Sequence, residues 1–416
     1  MGLQNKEFKT QVENAAYSIA NRLRGVCVPT NERIIAAAYL LYLTGKQNYS
    51  FDNVNEIIDN DSFAAQKKYF ITNFVNEETW KSVQPLANEY SSDVFKEIVL
   101  INDITNSRFD ISTPKSITEL AKKILNIKEN ETITDLCCGY GNFLLNVATI
   151  STAHCYGYDL NPSCKDIMDI RANLLGVNIK AETINVFELA ENNKLINSFD
   201  KLFSNYPFGI RASGMTDFAE KFINTLTDVN PYIFPGTSSD WIYNSLLLRL
   251  MKKDGKAIAI MTNGACFNSS DLQARRYFID NGFVEAVIAL PNALFNSTTI
   301  PVTMIVLSNF NRTVRMVDAT QLFTKGRRTN ILSDKNIEDI LFAYNNNTEN
   351  STSIPNDELK INEYALSPQR YLAYNIPEEN KENYIAFKHV IKQIKRGTPI
   401  KASELDRLSS NEETNI

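Results

Sequence analysis

No apolar run of about 18 residues, the length that crosses a bilayer as a helix, occurs anywhere in the 416-residue chain. The opening MGLQNKEFKTQVENAAYS lacks the long apolar core of a secretory signal and the serine of a myristoylation motif. These absences make a cytoplasmic protein with no membrane partner the expectation. Histidine is scarce, with His154 and His389 the two present. The six cysteines, Cys27, Cys137, Cys138, Cys155, Cys164 and Cys266, form no CxxC pair. Structural zinc needs such ligands at short spacings, so no metal is expected, and the thiols read as reduced and mostly buried. Positive charge is short as well: 43 Lys and Arg against 48 Asp and Glu leave a net charge of −5. Affinity for nucleic acid comes largely from cations set against phosphates. A chain of this balance that binds nucleic acid must cluster its basic residues on one face, or borrow them from another domain or subunit.

What is present is an ordinary globular composition, 44% hydrophobic and 22% charged, long enough for two or three domains. Val12, Ala15, Ala16, Ile19, Ala20 and Leu23 recur at helical spacing, and Gly25 ends the run. Thr30 suits the cap of a second helix, IIAAAYLLYLTG, apolar on most faces and therefore buried, with Gly45 closing it. Nothing here alternates as a strand would. Residues 1–105 read as an all-helical N-terminal domain.

The pattern changes at Ser112. Ile117, Leu120, Ala121, Ile124 and Leu125 line one face of an amphipathic helix. Short apolar runs follow at 132–136, 154–159, 199–205, 256–261, 284–290 and 302–308, separated by helical stretches. One such stretch is 241–251, with Ser239 or Asp240 to cap it and Gly255 just past its end. Alternating strands and helices predict an α/β fold, a doubly wound Rossmann-like parallel sheet with helices on both faces, over residues 106–375. The polar stretch NNNTENSTSIPN at 345–356 reads as an exposed loop.

Two constellations carry chemistry. The first is DLCCGYGNF, from Asp135 to Phe143, directly after a predicted strand and opening a helix. Gly139 and Gly141 allow a tight turn and close approach of backbone to a ligand. Asp135 ends its strand where it can receive the ammonium of an amino-acid-bearing cofactor. Asp159 ends the next strand, where a carboxylate commonly holds ribose hydroxyls. Leu144 stands where the dinucleotide pattern has its third glycine. That disfavours NAD and suits S-adenosylmethionine, which has no pyrophosphate to seat on a helix N-terminus. The plain alternative is a pair of structural strand-end acids.

The second constellation is FDKLFSNYPFG, ending in Asn205, Tyr206, Pro207, Phe208 and Gly209. An apolar strand delivers an amide, a rigid proline and an aromatic at its carboxyl end, where open α/β sheets bind ligands. The amine of adenine is a poor nucleophile because its lone pair is delocalised into the ring. An Asn oxygen and a nearby backbone carbonyl, each accepting one N–H, would free that lone pair for in-line attack on a methyl group. The site would act by positioning and oriented dipoles more than by a strong base. Phe208 would stack on an extruded base. An ordinary strand-to-turn exit also uses Asn and Pro. The stretch STPKS, Ser112 to Ser116, is by itself a routine helix entry.

The order of Thr-Pro before a helix, D-x-x-x-G-x-G, a strand-end Asp and N-x-P-F resembles the N6-adenine DNA methylase family. It is similar above all to the modification subunit of type I restriction-modification systems. The likeness continues through KDGKAIAIMTNGACF, VEAVIALPNALFNSTTIPVTMIVLSN, FTKGRRTNILS and INEYALSPQRYL, and covers roughly residues 105–375. It implies transfer of a methyl group from S-adenosylmethionine to N6 of an adenine flipped out of double-stranded DNA. It further implies cofactor contacts from Thr113, Pro114, Asp135, Cys137, Gly139, Tyr140, Gly141, Asn142, Asp159 and Leu160. Catalytic contacts would come from Asn205, Tyr206, Pro207 and Phe208. Two residues depart from the family pattern. Tyr206 replaces the first of two prolines but keeps the backbone carbonyl. Asn185 in TINVF stands where an acid often meets the cofactor's adenine, and it can still accept or donate there.

Residues 376–416 are expected to be a C-terminal tail. FKHVIKQIKRGTPIKASELDRLSSNEETNI is similar to the opening of a target-recognition domain, so the natural chain is expected to continue; a basic helical tail that docks on a partner is the alternative. Expected partners are DNA, a specificity subunit or fused recognition domain, and a restriction subunit. Rival readings are a scaffold impaired by Tyr206 and Asn185, a methyltransferase for RNA or a protein amide, and an unrelated nucleotide-binding protein.

Overall fold

The computed structural model describes residues 2–45, 49–101, 112–150, 154–209, 231, 236–295, 300–326 and 329–372. The expected tail at 376–416 lies outside the described residues.

The N-terminal region is helical, as its pattern predicts. It comprises α1 (Gly2–Arg24), α2 (Asn31–Thr44), α3 (Phe51–Asn60), α4 (Ser62–Gln66), α5 (Lys68–Phe74), α6 (Glu77–Val83) and α7 (Ser92–Leu100). Thr30 caps α2 by accepting from the Arg33 amide, and Gly45 closes it at φ 60°. Ile34 to Leu41 of α2 are buried without a break, so this helix is the centre of the bundle.

Helix α8 (Lys115–Leu125) leads into β1 (Thr132–Leu136), α9 (Asn142–Val147), β2 (His154–Asp159), α10 (Pro162–Leu175), β3 (Ile179–Thr183) and β4 (Phe199–Ser204). There follow α11 (Ser239–Leu250), β5 (Met251–Thr262), α12 (Leu272–Asp280), β6 (Val284–Ala289), β7 (Val302–Leu307) and β8 (Thr313–Asp318). A two-strand hairpin of β9 (Thr324–Lys325) and β10 (Asn330–Ile331), then α13 (Asp334–Asn345), β11 (Ser351–Pro355) and α14 (Asn356–Ile361), complete the described chain.

The nine-stranded sheet runs β11-β8-β6-β7-β5-β4-β1-β2-β3. Strands β3, β2, β1, β4 and β5 are parallel. The chain builds outward from β1 to β3, then returns to lay β4 on the other side of β1. Strand order therefore reverses between β1 and β4, and in open α/β sheets the ligand crevice lies outside the carboxyl ends at such a point. Both constellations sit there. One face of the sheet is covered by an apolar cluster containing Leu136, Tyr206, Trp241 and Leu247, the other by one containing Ile117, Phe143, Met168 and Phe203. The face of α8 picked out by periodicity is the buried one.

Three local expectations are corrected. The sheet is mixed rather than parallel throughout, because β7 runs antiparallel to both β5 and β6; residues 290–301 contain no helix among the described residues to make the crossover a parallel pair needs. The stretch at 345–356 is not all loop: Ser351–Pro355 pairs antiparallel with β8 as an edge strand. Its Ser/Thr content hides it from a hydrophobic period, since an edge strand has little to bury. Helix α11 is capped at Ser238, not at Ser239 or Asp240, and Gly255 lies inside β5 instead of closing the helix. Strand β5 starts immediately after α11 and is longer than its apolar stretch. Its opening residues, Met251 to Gly255, carry three charges, which conceal it.

The helical region and the sheet pack within one compact unit that runs to Leu372. Helix α10 and the loop before α9 make the contact: Cys164, Ile167 and Ile170 of α10, with Tyr140, join the core of the N-terminal bundle. Lys67 adds a buried ammonium that reaches Asp166 at 2.8 Å and also Asp169, both on α10.

Candidate active site

The DLCCGYGNF loop is built by backbone geometry that its glycines permit. Cys137, Gly139 and Gly141 all adopt positive φ. A Cβ on Gly141 would lie 2.6 Å from Met168 Cγ, so α10 packs too closely for any side chain there. The Gly139 amide donates to Asp159 Oδ2 at 2.8 Å, and Asp159 Oδ1 accepts from the Asn161 amide at 2.9 Å. Asp159 thus braces the loop while its remaining lone pairs can accept from a ligand. Leu160 beside it is 72% exposed, an apolar surface available to a flat ring.

Asp135 is 3% exposed, and its Oδ1 is buried with no hydrogen-bond partner. Burial pushes this carboxyl well above the usual range, and the like charge of Asp159 adds to the rise. A buried orphan oxygen of this kind is costly. A ligand ammonium would both pair it and favour its ionised form, so the residues present fit an amino-acid-bearing cofactor. Burial also pushes the Cys137 and Cys138 thiols up, which removes them as nucleophiles at neutral pH.

The second constellation meets the first across adjacent strands. Leu136 of β1 pairs with Ser204 of β4, and the Ser204 hydroxyl donates to the Leu136 carbonyl. Phe143 stacks on Phe203 with centroids 4.5 Å apart. Asn205 follows Ser204 directly. Its Nδ2 donates to Thr113 Oγ1 at 3.0 Å, while its Oδ1 is buried without a partner. Pro207 is exposed and Phe208 half-buried, the latter edge-on to Phe295 at 6.0 Å.

Tyr206 points elsewhere. It is 1% exposed, stacks on Tyr243 at 4.6 Å and donates its hydroxyl to Asn244 Oδ1 at 3.1 Å. Its ring replaces the compact proline by filling space against α11, among the apolar residues of the sheet face that holds Trp241.

Thr113, which with Pro114 reads from sequence alone as a helix entry and from the family likeness as a cofactor contact, reaches the site just ahead of α8, and Pro114 is that helix's N-cap. The Thr113 carbonyl accepts from Asn142 Nδ2 at 2.8 Å. Tyr140 donates its hydroxyl to Glu32 of α2 at 2.7 Å, so its side chain is used to hold the helical region. Asn185 follows β3, and its Oδ1 accepts from the Phe187 amide at 3.2 Å. That contact makes Asn185 the cap of a short helical turn.

Sequence reading missed Arg171. This guanidinium on α10 is fully buried and donates to the carbonyls of Val99, Ile101 and Tyr140 and to Asn142 Oδ1, at 2.7 to 3.1 Å. The signal is an arginine at helical spacing from the apolar Cys164, Ile167, Met168 and Leu174.

A family model described as N-6 DNA Methylase matches residues 100–383. The chain belongs to the N-6 DNA methylase family. Among curated relatives of this family member, the type I restriction enzyme MpnII methylase subunit of Mycoplasma pneumoniae is 27% identical over 289 residues, covering 62% of this chain and 52% of the relative. The chain spans about half the length of the curated relatives it first matches. The crystal structure of the type I restriction-modification methyltransferase subunit from Streptococcus thermophilus superposes with a TM-score of 0.64 at 18% identity, over 87% of this chain and 99% of that one. A protein from Listeria monocytogenes assigned to the class I S-adenosylmethionine-dependent methyltransferases gives 0.51 at 17% identity, over 82% and 98%. At these identities the structural likenesses establish the methyltransferase fold. No helix among the described residues is long and apolar enough to cross a membrane.

Proposed function

We propose that this N-6 DNA methylase transfers a methyl group from S-adenosylmethionine to N6 of adenine in double-stranded DNA, within a type I-like restriction-modification system. The observation that carries the reading is a pair of orphan acceptors, Asp135 Oδ1 and Asn205 Oδ1, both buried, at the carboxyl ends of neighbouring strands at the switch point. One suits a cofactor ammonium, the other an amine hydrogen.

Bound S-adenosylmethionine would supply an electrophilic methyl group on a sulfonium. Asp135 and Asp159 would hold its amino-acid and ribose ends, with Thr113, Pro114 and the residues from Cys137 to Asn142 around it. Leu160 would cover its adenine, and the Asn185 amide would donate to that ring. Asn205 Oδ1 and the Tyr206 carbonyl would each accept one N–H of the target amine. Losing conjugation with the ring, the nitrogen gains a directed lone pair; the arrangement works by fixed dipoles that need no reorganisation. Phe208, with Pro207, would stack on the flipped base. The burial of the Tyr206 side chain away from Phe208 favours the active reading over an impaired scaffold, because the replacement leaves the backbone acceptor available. With a net charge of −5, much of the phosphate contact and the reading of sequence would fall to a specificity subunit or a fused recognition domain, and a restriction subunit would complete the system.

The test is incorporation of labelled methyl into genomic DNA from an unmodified host, using the full-length protein with its specificity partner. Label should appear as N6-methyladenine, and Asn205→Ala should lower kcat at least about 100-fold, the scale of losing one oriented dipole. Cofactor binding without label on DNA, but with label on RNA or a protein amide, would sink the DNA reading.

A further inference from the structure

Asn205 can present its oxygen to the target amine only if its amide is held in one of two orientations related by a half-turn. The wrong one aims an NH2 group at the N–H bonds it should accept. The structure contains a chain of contacts that ends at this amide. Arg171 has no acceptor, so Asn142 must turn its Oδ1 toward it, at 3.0 Å. Asn142 Nδ2 is then directed to the Thr113 carbonyl at 2.8 Å, an oxygen that only accepts. Thr113 is thereby pinned to the cofactor loop. Its hydroxyl lies 3.0 Å from Asn205 Nδ2, and the opposite end of that amide, Oδ1, is the buried orphan.

We infer that Thr113 is a positioning residue for Asn205: its hydroxyl accepts from the amide nitrogen and so aims the amide oxygen at the target amine. The inference rests on the reading of Asn205 as the acceptor of that amine. It gives the hydroxyl of Thr113 a role in the chemical step that a contact with the cofactor alone would not have. Arg171 and Asn142 act one stage further back, fixing the backbone that carries the hydroxyl. Because Arg171 also binds Val99 and Ile101 at the end of α7, the helical region is joined to the Asn205 amide through three residues, Arg171, Asn142 and Thr113.

Thr113→Val keeps the shape and removes the acceptor; Thr113→Ser keeps the acceptor. In full-length protein with its specificity partner, Thr113→Val should lower kcat about 10- to 100-fold, the range a misplaced group costs. Thr113→Ser should restore kcat to within about threefold of the parent, since it returns the acceptor. A Thr113→Val enzyme with unchanged kcat and only a raised KM for S-adenosylmethionine would overturn the inference, because the hydroxyl would then serve cofactor binding alone. A second readout does not use turnover. With asparagine labelled by 15N and S-adenosylhomocysteine bound, the side-chain NH2 signals of Asn205, identified by their loss in Asn205→Ala, should move in Thr113→Val and stay in Thr113→Ser. Signals that do not move in Thr113→Val would also overturn it. Should Thr113→Val melt early, Thr113→Ala serves in both measurements. Failure of the parent protein to methylate DNA would instead count against the proposed function, and the NH2 signals would still report on the Thr113–Asn205 contact.

Discussion

Asp135 and Asn205 each keep one buried oxygen unpaired, and the two cost the empty protein in different ways. Asn205 loses a hydrogen bond. Asp135 loses the solvation of a charge, which is why burial holds its proton well above the usual carboxylate range. The unfolded chain releases that proton near pH 3.9. From there up to the raised value the native state binds more protons than the unfolded one, so ligand-free stability falls as pH rises through the window. Asp135→Asn removes this slope. Ligand-free Asp135→Asn should melt above the parent at pH 7, and the two should converge near pH 4. The same change should weaken S-adenosylmethionine about 10- to 100-fold by calorimetry, since a hydrogen bond to a charged group is worth about 1.5–3 kcal/mol. Equal melting at pH 7 would mean that the carboxyl is not strained when empty. Both residues were legible in sequence as strand-end polar groups. That each has an unmet oxygen was not, because it depends on every neighbour that fails to reach it.

At the scale of elements, the Asp135–Phe143 loop depends on α10 as much as on its own glycines. Met168 lies under it. A Cβ at Gly157, inside β2, would lie 2.7 Å from Met168 Cε and 2.8 Å from Leu144 Cδ1, whereas at Gly141 it would meet Met168 at 2.6 Å and sit on a backbone at φ 81°. Gly157→Ala is an overpacking change and should cost about 1–3 kcal/mol. Gly141→Ala adds left-handed strain of about 1–3 kcal/mol and should cost more. Urea unfolding of the two variants checks the order; equal losses would show that the loop relaxes without strain. Gly139 and Gly141 could be read from spacing, because a motif flanks them. Gly157 could not, since within a strand its need is set by a methionine from another helix. The edge strand β11 escaped notice for a related reason: its partner β8 supplies the pairing, and its own residues show no period.

For the whole molecule, the helical region docks on α10, the same helix whose Met168 packs under the Asp135–Phe143 loop. Lys67 is central to that docking, with Asp166 and Asp169 retaining 28% and 18% side-chain exposure. Removing one partner of a fully buried pair costs about 3–5 kcal/mol. Here the residual exposure and the second hold of Lys165 on Asp169 reduce that, and Lys67→Ala should cost about 1–3 kcal/mol once solvent screening is allowed for. Hydrogen exchange should quicken in α5 and α10 together. Loss of protection in α5 alone would show that the two regions are held by the apolar contact and not by the ion cluster.

Periodicity and turn chemistry within this chain determined the helical lead, the α/β alternation and the two motif loops, because each of these is encoded by neighbours a few residues apart. The family likeness in those loops likewise needed no coordinates. Tertiary structure alone decided the antiparallel β7, the inward turn of Tyr206, the burial of Arg171 and the line of contacts from α7 to Asn205. These join residues tens of positions apart, and a contact of that kind is set by which surfaces meet when the core closes.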